Sequence, residues 1–464
     1  MTNLFCWMNF NSFSSLSWLN PLLATTNESE TSNSTLVLAG VLLSLVIVYF
    51  ASKLGGEICA RINLPPVLGE LVGGVLVGVS AFHLLVFPES GSTADNSLVI
   101  TFLQNTAGLT PEATESVFAA QSEVISLLAE LGVIILLFEI GLESDLKELI
   151  RVGPQAAIVA VVGVVAPFAT GTAGLVYLFN VPVIPAIFAG AALTATSIGI
   201  TAKVLAELGQ LSSKEGQIII GAAVLDDVLG IIVLAVVASL VKTGEVQIVN
   251  IIYLIISAGA FLIGAILIGR FLSPYFVSLV DEMKTRGQVL LTALIFAFTL
   301  SYIATAIQLE AILGAFAAGL VLAETEKRKE LEEQVIPVAD ILVPVFFVCV
   351  GAKTDLSVLN PAVESNREGL IIATFLILVA ILGKVITGFT LFGQNDLNKL
   401  SIGVGMIPRG EVGLVFAGVG SASGALSEST EAAIIMMVIL TTFIAPPLLR
   451  LVFKEMETKP ETIT

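Results

Sequence analysis

The stretch GAAVLDDVLGIIVLAVVASL, residues 221–240, is an apolar run of helix length that holds two adjacent aspartates, Asp226 and Asp227. One charged carboxylate at the centre of a bilayer costs ~3 kcal/mol on insertion scales. Two adjacent ones cost roughly twice that, before their mutual repulsion is counted. Helix packing has no use for such a pair. A charged species that binds beside it does. The run therefore points to a membrane-spanning helix, and its aspartates point to where the chemistry lies.

The rest of the chain agrees with this class. Of its 464 residues, 56% are hydrophobic and only 13% are charged, and the mean hydropathy is +0.98. A soluble protein of this length could not cover its surface with so few charges, so the chain reads as an all-α polytopic membrane protein. The apolar runs have the length of helices rather than the alternating short segments of a barrel. A net charge of −17 excludes nucleic acid as a partner. Cys6, Cys59 and Cys349 are scattered and imply neither a disulfide framework nor a metal site. His83 is the sole histidine and reads as interfacial, which excludes a histidine metal cluster or triad.

Thirteen spans are predicted, at about 34–53, 64–86, 121–142, 153–179, 182–206, 214–241, 247–274, 286–307, 310–323, 335–351, 367–392, 399–420 and 431–453. Residues 287–324 as one helix would measure ~57 Å, far beyond a ~30 Å hydrocarbon core. They are split at Gln308-Leu309-Glu310. With the C-terminus cytoplasmic, sixteen of the 21 Lys and Arg fall inside, three outside and two within spans. That is the asymmetry of the positive-inside rule, and an even span count would scramble it. The N-terminus is then outside or lumenal. Residues 1–33 contain no Lys or Arg, so they form an extracytoplasmic tail rather than a signal peptide. The outside loop 87–120 also lacks basic residues, and 456–464 form a short cytoplasmic tail. No soluble regulatory domain is expected after the last span.

Three further spans carry polar groups at depth. The fifth holds Thr194-Ala195-Thr196-Ser197 followed by Gly199, a plausible place for a helix to unwind. Ser and Thr hydrogen bonding between helices is the plainer reading of that run. The twelfth contains Pro408 between Gly405 and Gly410, with Arg409 and Glu411 at the break. Two positions apart on a regular helix, Arg409 and Glu411 point to nearly opposite sides, so the helix is broken or each has another partner. The eleventh carries Lys384, some eight residues from its expected end. That is too deep for easy snorkelling, and the aspartate pair supplies the obvious partner. Asp226 and Asp227 lie ~100° apart on a helix, so only one can face the lysine. The other can face a cavity and exchange a proton for a cation. The two breaks each sit second in a three-span unit, spans 4–6 and 11–13, with opposite topology. This is the pattern of an inverted repeat with crossing discontinuous helices.

These residues carry a family resemblance. LPPVLGELVGGVLVG (64–78), LGVIILLFEIGLESDL (131–146), LTATSIGITAKVLAELG (193–209), VLDDVLGIIVL (224–234), AILGAFAAGLVLAE (311–324), PVFFVCVGAKTDL (344–356) and MIPRGEVGLVF (406–416) together resemble the monovalent cation:proton antiporters of the second branch. These include the Kef-type membrane domain and bacterial Na⁺/H⁺ antiporters, with the cyanobacterial ones nearest in character. The resemblance covers nearly the whole transmembrane region. It implies a Na⁺/H⁺ antiporter, not an enzyme, that works by alternating access without a cofactor beyond the transported Na⁺ and H⁺. It implies an elevator-type fold with a core, about 121–241 and 335–455, and a dimerisation domain, about 34–86 and 247–323, in a homodimer. Asp227 would bind Na⁺ or the proton, Asp226 would pair with Lys384, Thr194 and Thr196 would shape the site, and Arg409 and Glu411 would stabilise the other crossing helix. The expected partners are monovalent cations and the lipid bilayer, in a bacterial cytoplasmic or thylakoid membrane.

Three other readings compete with Na⁺/H⁺ antiport. An intramembrane aspartyl protease needs its aspartates on separate helices, which adjacency forbids. A cation channel needs a continuous pore with several weak sites, whereas broken helices meeting one deep carboxylate suit alternating access. K⁺/H⁺ antiport is the closest alternative, since the sequence does not set cation selectivity.

Overall fold

The computed structural model describes residues 20–107, 110–243, 248–360, 364–394 and 396–457. In chain order the helices are α1 (Asn20–Arg61), α2 (Pro66–Val77), α3 (Leu98–Ala107), α4 (Pro111–Glu143), α5 (Leu146–Arg151) and α6 (Gly153–Leu178). Then come α7 (Val183–Ala192), α8 (Ile198–Glu207), α9 (Lys214–Thr243), α10 (Ile248–Glu282), α11 (Gln288–Ala306) and α12 (Ala311–Ala323). The last are α13 (Arg328–Ala352), α14 (Glu364–Phe389), α15 (Lys399–Gly405), α16 (Glu411–Ala422) and α17 (Glu428–Glu457). No strand occurs among the described residues.

Nine of the described helices are long and apolar enough to cross a membrane. The chain is a multi-pass membrane protein. The other expected spans hold shorter helices. Over 64–86 only α2 is helical, and its twelve residues measure ~18 Å. Pro65 and Pro66 start it without losing a needed donor, and Gly78 ends it. Two more expected spans, 182–206 and 399–420, are each divided, into α7 and α8 and into α15 and α16. The turn at 307–310 falls where length demanded it, with Gln308 in the left-handed region at φ 67°.

Some boundaries differ from expectation. α1 starts at Asn20 rather than 34, because a nucleated helix propagates cheaply through polar residues. Residues 1–19 and 458–464 of the two expected tails lie outside the described residues. The loop expected at 87–120 is largely helical. It holds α3 and the first turns of α4, which Thr110 caps by accepting from the Ala113 N–H. Val99, Ile100 and Leu103 of α3 close a small core with Val117 and Phe118, which is why the segment folds.

Packing sorts most helices into two groups. α6, α7, α9, α14, α15, α16 and α17 pack mainly on one another, while α1, α2, α4, α11, α12 and α13 form the second group. α8 touches members of both. The helices over 121–142 and 335–351, expected in the core, thus pack with the second group. The reason is backbone contact at glycines. A Cβ on Gly141 of α4 would meet the Phe316 carbonyl of α12, and one on Gly74 of α2 would meet the Val348 carbonyl of α13. Such close approach lets dispersion hold helices together where lipid removes the hydrophobic drive. At the loop end, Lys214 of α9 pairs with Asp396 at 2.6 Å and holds that carboxyl below its usual range by hydrogen bonding. The tie is therefore present at neutral pH and is lost as pH falls through the lowered value.

Candidate ion-binding site

α9 carries Asp226 and Asp227 near its middle, both buried. Asp226 faces α14, where Lys384 donates to its Oδ2 at 2.9 Å. Both side chains of this ion pair are fully buried. Room for the ammonium comes from Gly163 of α6, where a Cβ would stand 3.1 Å from Lys384 Nζ. The depth at which Lys384 sits is thus matched by a partner, and snorkelling is not needed.

Two breaks in the helices cross beside α9. They are Leu193–Ser197, between α7 and α8, and Met406–Gly410, between α15 and α16. Each break supplies hydrogen bonds that the other lacks. The Ser197 N–H donates to the Pro408 carbonyl at 2.9 Å, and Thr196 Oγ1 donates to the Met406 carbonyl at 3.2 Å. Arg409 is fully buried and donates from Nη1 to the Ala195 carbonyl at 3.0 Å. Thr442 of α17 donates to the Arg409 carbonyl at 2.5 Å. Unwound backbone is tolerated at membrane depth only where protein satisfies it, and these contacts do so. Arg409 also places a positive charge near the carbonyl ends of α7 and α15 and within electrostatic reach of Asp226. The side chain of Glu411 lies outside the described residues.

Asp227 lines a cavity. Its lining includes Thr196, Ser197, Gly410 and Glu310. The cavity is small, about 10 Å³, which is room for about one water or one bare cation. The lining residues carry two carboxylates and two hydroxyls, the donor set of a hard cation. Among the described residues there is no group of three or more His, Cys, Asp or Glu that could hold a metal.

Of the residues singled out from sequence, Asp226, Asp227, Thr196, Lys384 and Arg409 are brought to this one region. Thr194 is buried there too, but its hydroxyl turns back to the Ala191 carbonyl at 2.7 Å and it does not line the cavity. Sequence reasoning missed Ser197 as a cavity residue, although it ends the same polar run. It also missed Glu310, which marked only a turn. At the other end of α8, Lys203 lies within electrostatic reach of Glu70, Glu139, Glu143 and Glu207. There Glu207 accepts from the Val67 N–H at 3.2 Å, tying α8 to α2.

A family model described as "Sodium/hydrogen exchanger, transmembrane" matches residues 41–455. The chain belongs to the sodium/hydrogen exchanger family. This exchanger is 76% identical over 434 residues to the "High-affinity Na(+)/H(+) antiporter NhaS3" of Synechocystis sp., covering 94% of each chain. It is 32% identical to the "Na(+)/H(+)-K(+) antiporter GerN" of Bacillus cereus, covering 88% of this exchanger and 95% of that relative. It also resembles the sodium proton antiporter MjNhaP1 of Methanocaldococcus jannaschii, at a TM-score of 0.60 and 16% identity, over 90% and 98% of the two chains. That last likeness speaks to the fold alone.

Proposed function

We propose that this protein exchanges Na⁺ for H⁺ through the carboxylate of Asp227. The protein is a Na⁺/H⁺ antiporter, as its 76% identity to a relative of that name supports. The observation that carries the site assignment is the division of labour between the aspartates. Asp226 is tied to Lys384 at 2.9 Å, while Asp227 borders a cavity beside the crossed breaks. A carboxylate that takes either a cation or a proton, and never both, couples the two fluxes.

Thr196 and Ser197 complete the cation's oxygen shell, and Arg409 holds the second crossing helix. Alternating access follows if the group of α6–α9 and α14–α17 moves as an elevator core against the group of α1, α2, α4 and α11–α13, the latter also supplying a homodimer contact. The nine long helices, the two broken ones and the short α2 and α12 then make thirteen crossings in inverted repeats, with the N-terminus outside and the C-terminus cytoplasmic. We assign the protein to the bacterial cytoplasmic or thylakoid membrane. It transports ions without an enzymatic step or a resident cofactor. K⁺ as a second cation is favoured by the 32% identity to a relative named for both Na⁺ and K⁺.

The test is cation-driven collapse of a pH gradient in proteoliposomes. The wild type should respond to Na⁺ and Asp227→Asn should not. Exchange retained by Asp227→Asn would overturn the site assignment, and a response to K⁺ as well would widen the selectivity.

A further inference from the structure

We propose that Glu310 is a recruiting carboxylate that draws the transported cation to Asp227 from one side of the membrane only. The inference rests on Asp227 being the exchange site. Glu310 is exposed and lines the same cavity as the buried Asp227, so two acidic residues border one small space. A second negative charge at the mouth of a small, low-dielectric cavity raises the local cation concentration and speeds capture. It does so without adding to the affinity of the inner ligand set.

The two carboxylates belong to different helix groups. Asp227 lies on α9 with the crossed breaks, whereas Glu310 adjoins α12, which packs on α4 and α11. The opposite end of α12 leads to Arg328, which donates to the Glu143 carbonyl at 2.9 Å. At that end, Lys203 and Glu207 of α8 are held among the carboxylates of α2 and α4. The site therefore meets Glu310 on the side of the α12 N-terminus, and a cation arriving from the other side does not pass it. In the orientation proposed above, the Glu310 side is extracytoplasmic. Recruitment is then asymmetric across the membrane.

The experiment measures Na⁺-dependent exchange in sealed vesicles of the two opposite orientations, for wild type, Glu310→Gln, Glu310→Asp and Asp227→Asn. Glu310→Gln should raise the apparent KM for Na⁺ about tenfold when Na⁺ is presented on the Glu310 side, the lower end of electrostatic recruitment. The maximal rate, and the KM from the opposite side, should stay at wild-type values. Glu310→Asp should bring the apparent KM most of the way back to the wild-type value, and the Gln effect should shrink at high ionic strength. An unchanged KM from both sides, an equal rise from both sides, or a lower maximal rate at unchanged KM would overturn the proposal. Asp227→Asn separates the two readings. If it still exchanges, the site assignment has failed. If it is inactive while Glu310→Gln matches the wild type, only the recruiting role has failed.

Discussion

At the scale of single residues, the exchanger is built on unequal treatment of two neighbouring carboxylates. Asp226 and Lys384 are an ion pair with no exposed surface on either side chain. Such a pair adds little net stability, but removing one partner strands the other charge and costs ~3–5 kcal/mol. Lys384→Ala should therefore lower the melting temperature of the detergent-purified protein by several degrees. Adding Asp226→Asn to that variant should recover much of the loss. A melting temperature unmoved by Lys384→Ala would show that the pair does not hold α9 to α14. These residues were legible in the sequence because a charge in an apolar helix needs a partner, and few deep cations were available. Which aspartate takes the lysine, and where Thr194 points, was not legible from the residues themselves. Both depend on how α9 is rotated and on where α7 stops, which neighbouring helices set.

At the scale of elements, the site depends on helices that stop early and helices that touch closely. The breaks at Leu193–Ser197 and Met406–Gly410 satisfy each other across the crossing, with Arg409 bonded to the Ala195 carbonyl. Pro408 and its flanking glycines announced the second break, and the length limit announced the turn before α12. The grouping of α4 and α13 was not announced. It follows from glycine contacts between residues far apart in sequence, such as Gly141 with α12. Gly141→Ala should push the Phe316 backbone away and destabilise the protein by ~1–3 kcal/mol, the usual cost of overpacking. Gly153→Ala, where a Cβ meets nothing within 4 Å, is the matched control. Equal melting temperatures for the two variants would count against backbone packing of α4 on α12. In the sequence Glu310 marks only a turn, because its place at the cavity comes from tertiary folding that no local pattern encodes.

At the scale of the whole molecule, one small cavity beside Asp227 lies where the two helix groups meet. Several charges at loop ends pair near the surface, as Lys214 does with Asp396. The transport claim therefore concentrates on one carboxylate. The direct measurement is proton release during Na⁺ binding to the purified protein in weak buffer, for wild type and Asp227→Asn across a pH series. If Na⁺ and H⁺ compete for Asp227, about one proton leaves per Na⁺ bound at low pH, and apparent Na⁺ affinity weakens by up to about tenfold per pH unit as pH falls. Asp227→Asn should show neither effect. Na⁺ binding with no proton release and no pH dependence in the wild type would contradict exchange at a shared carboxylate.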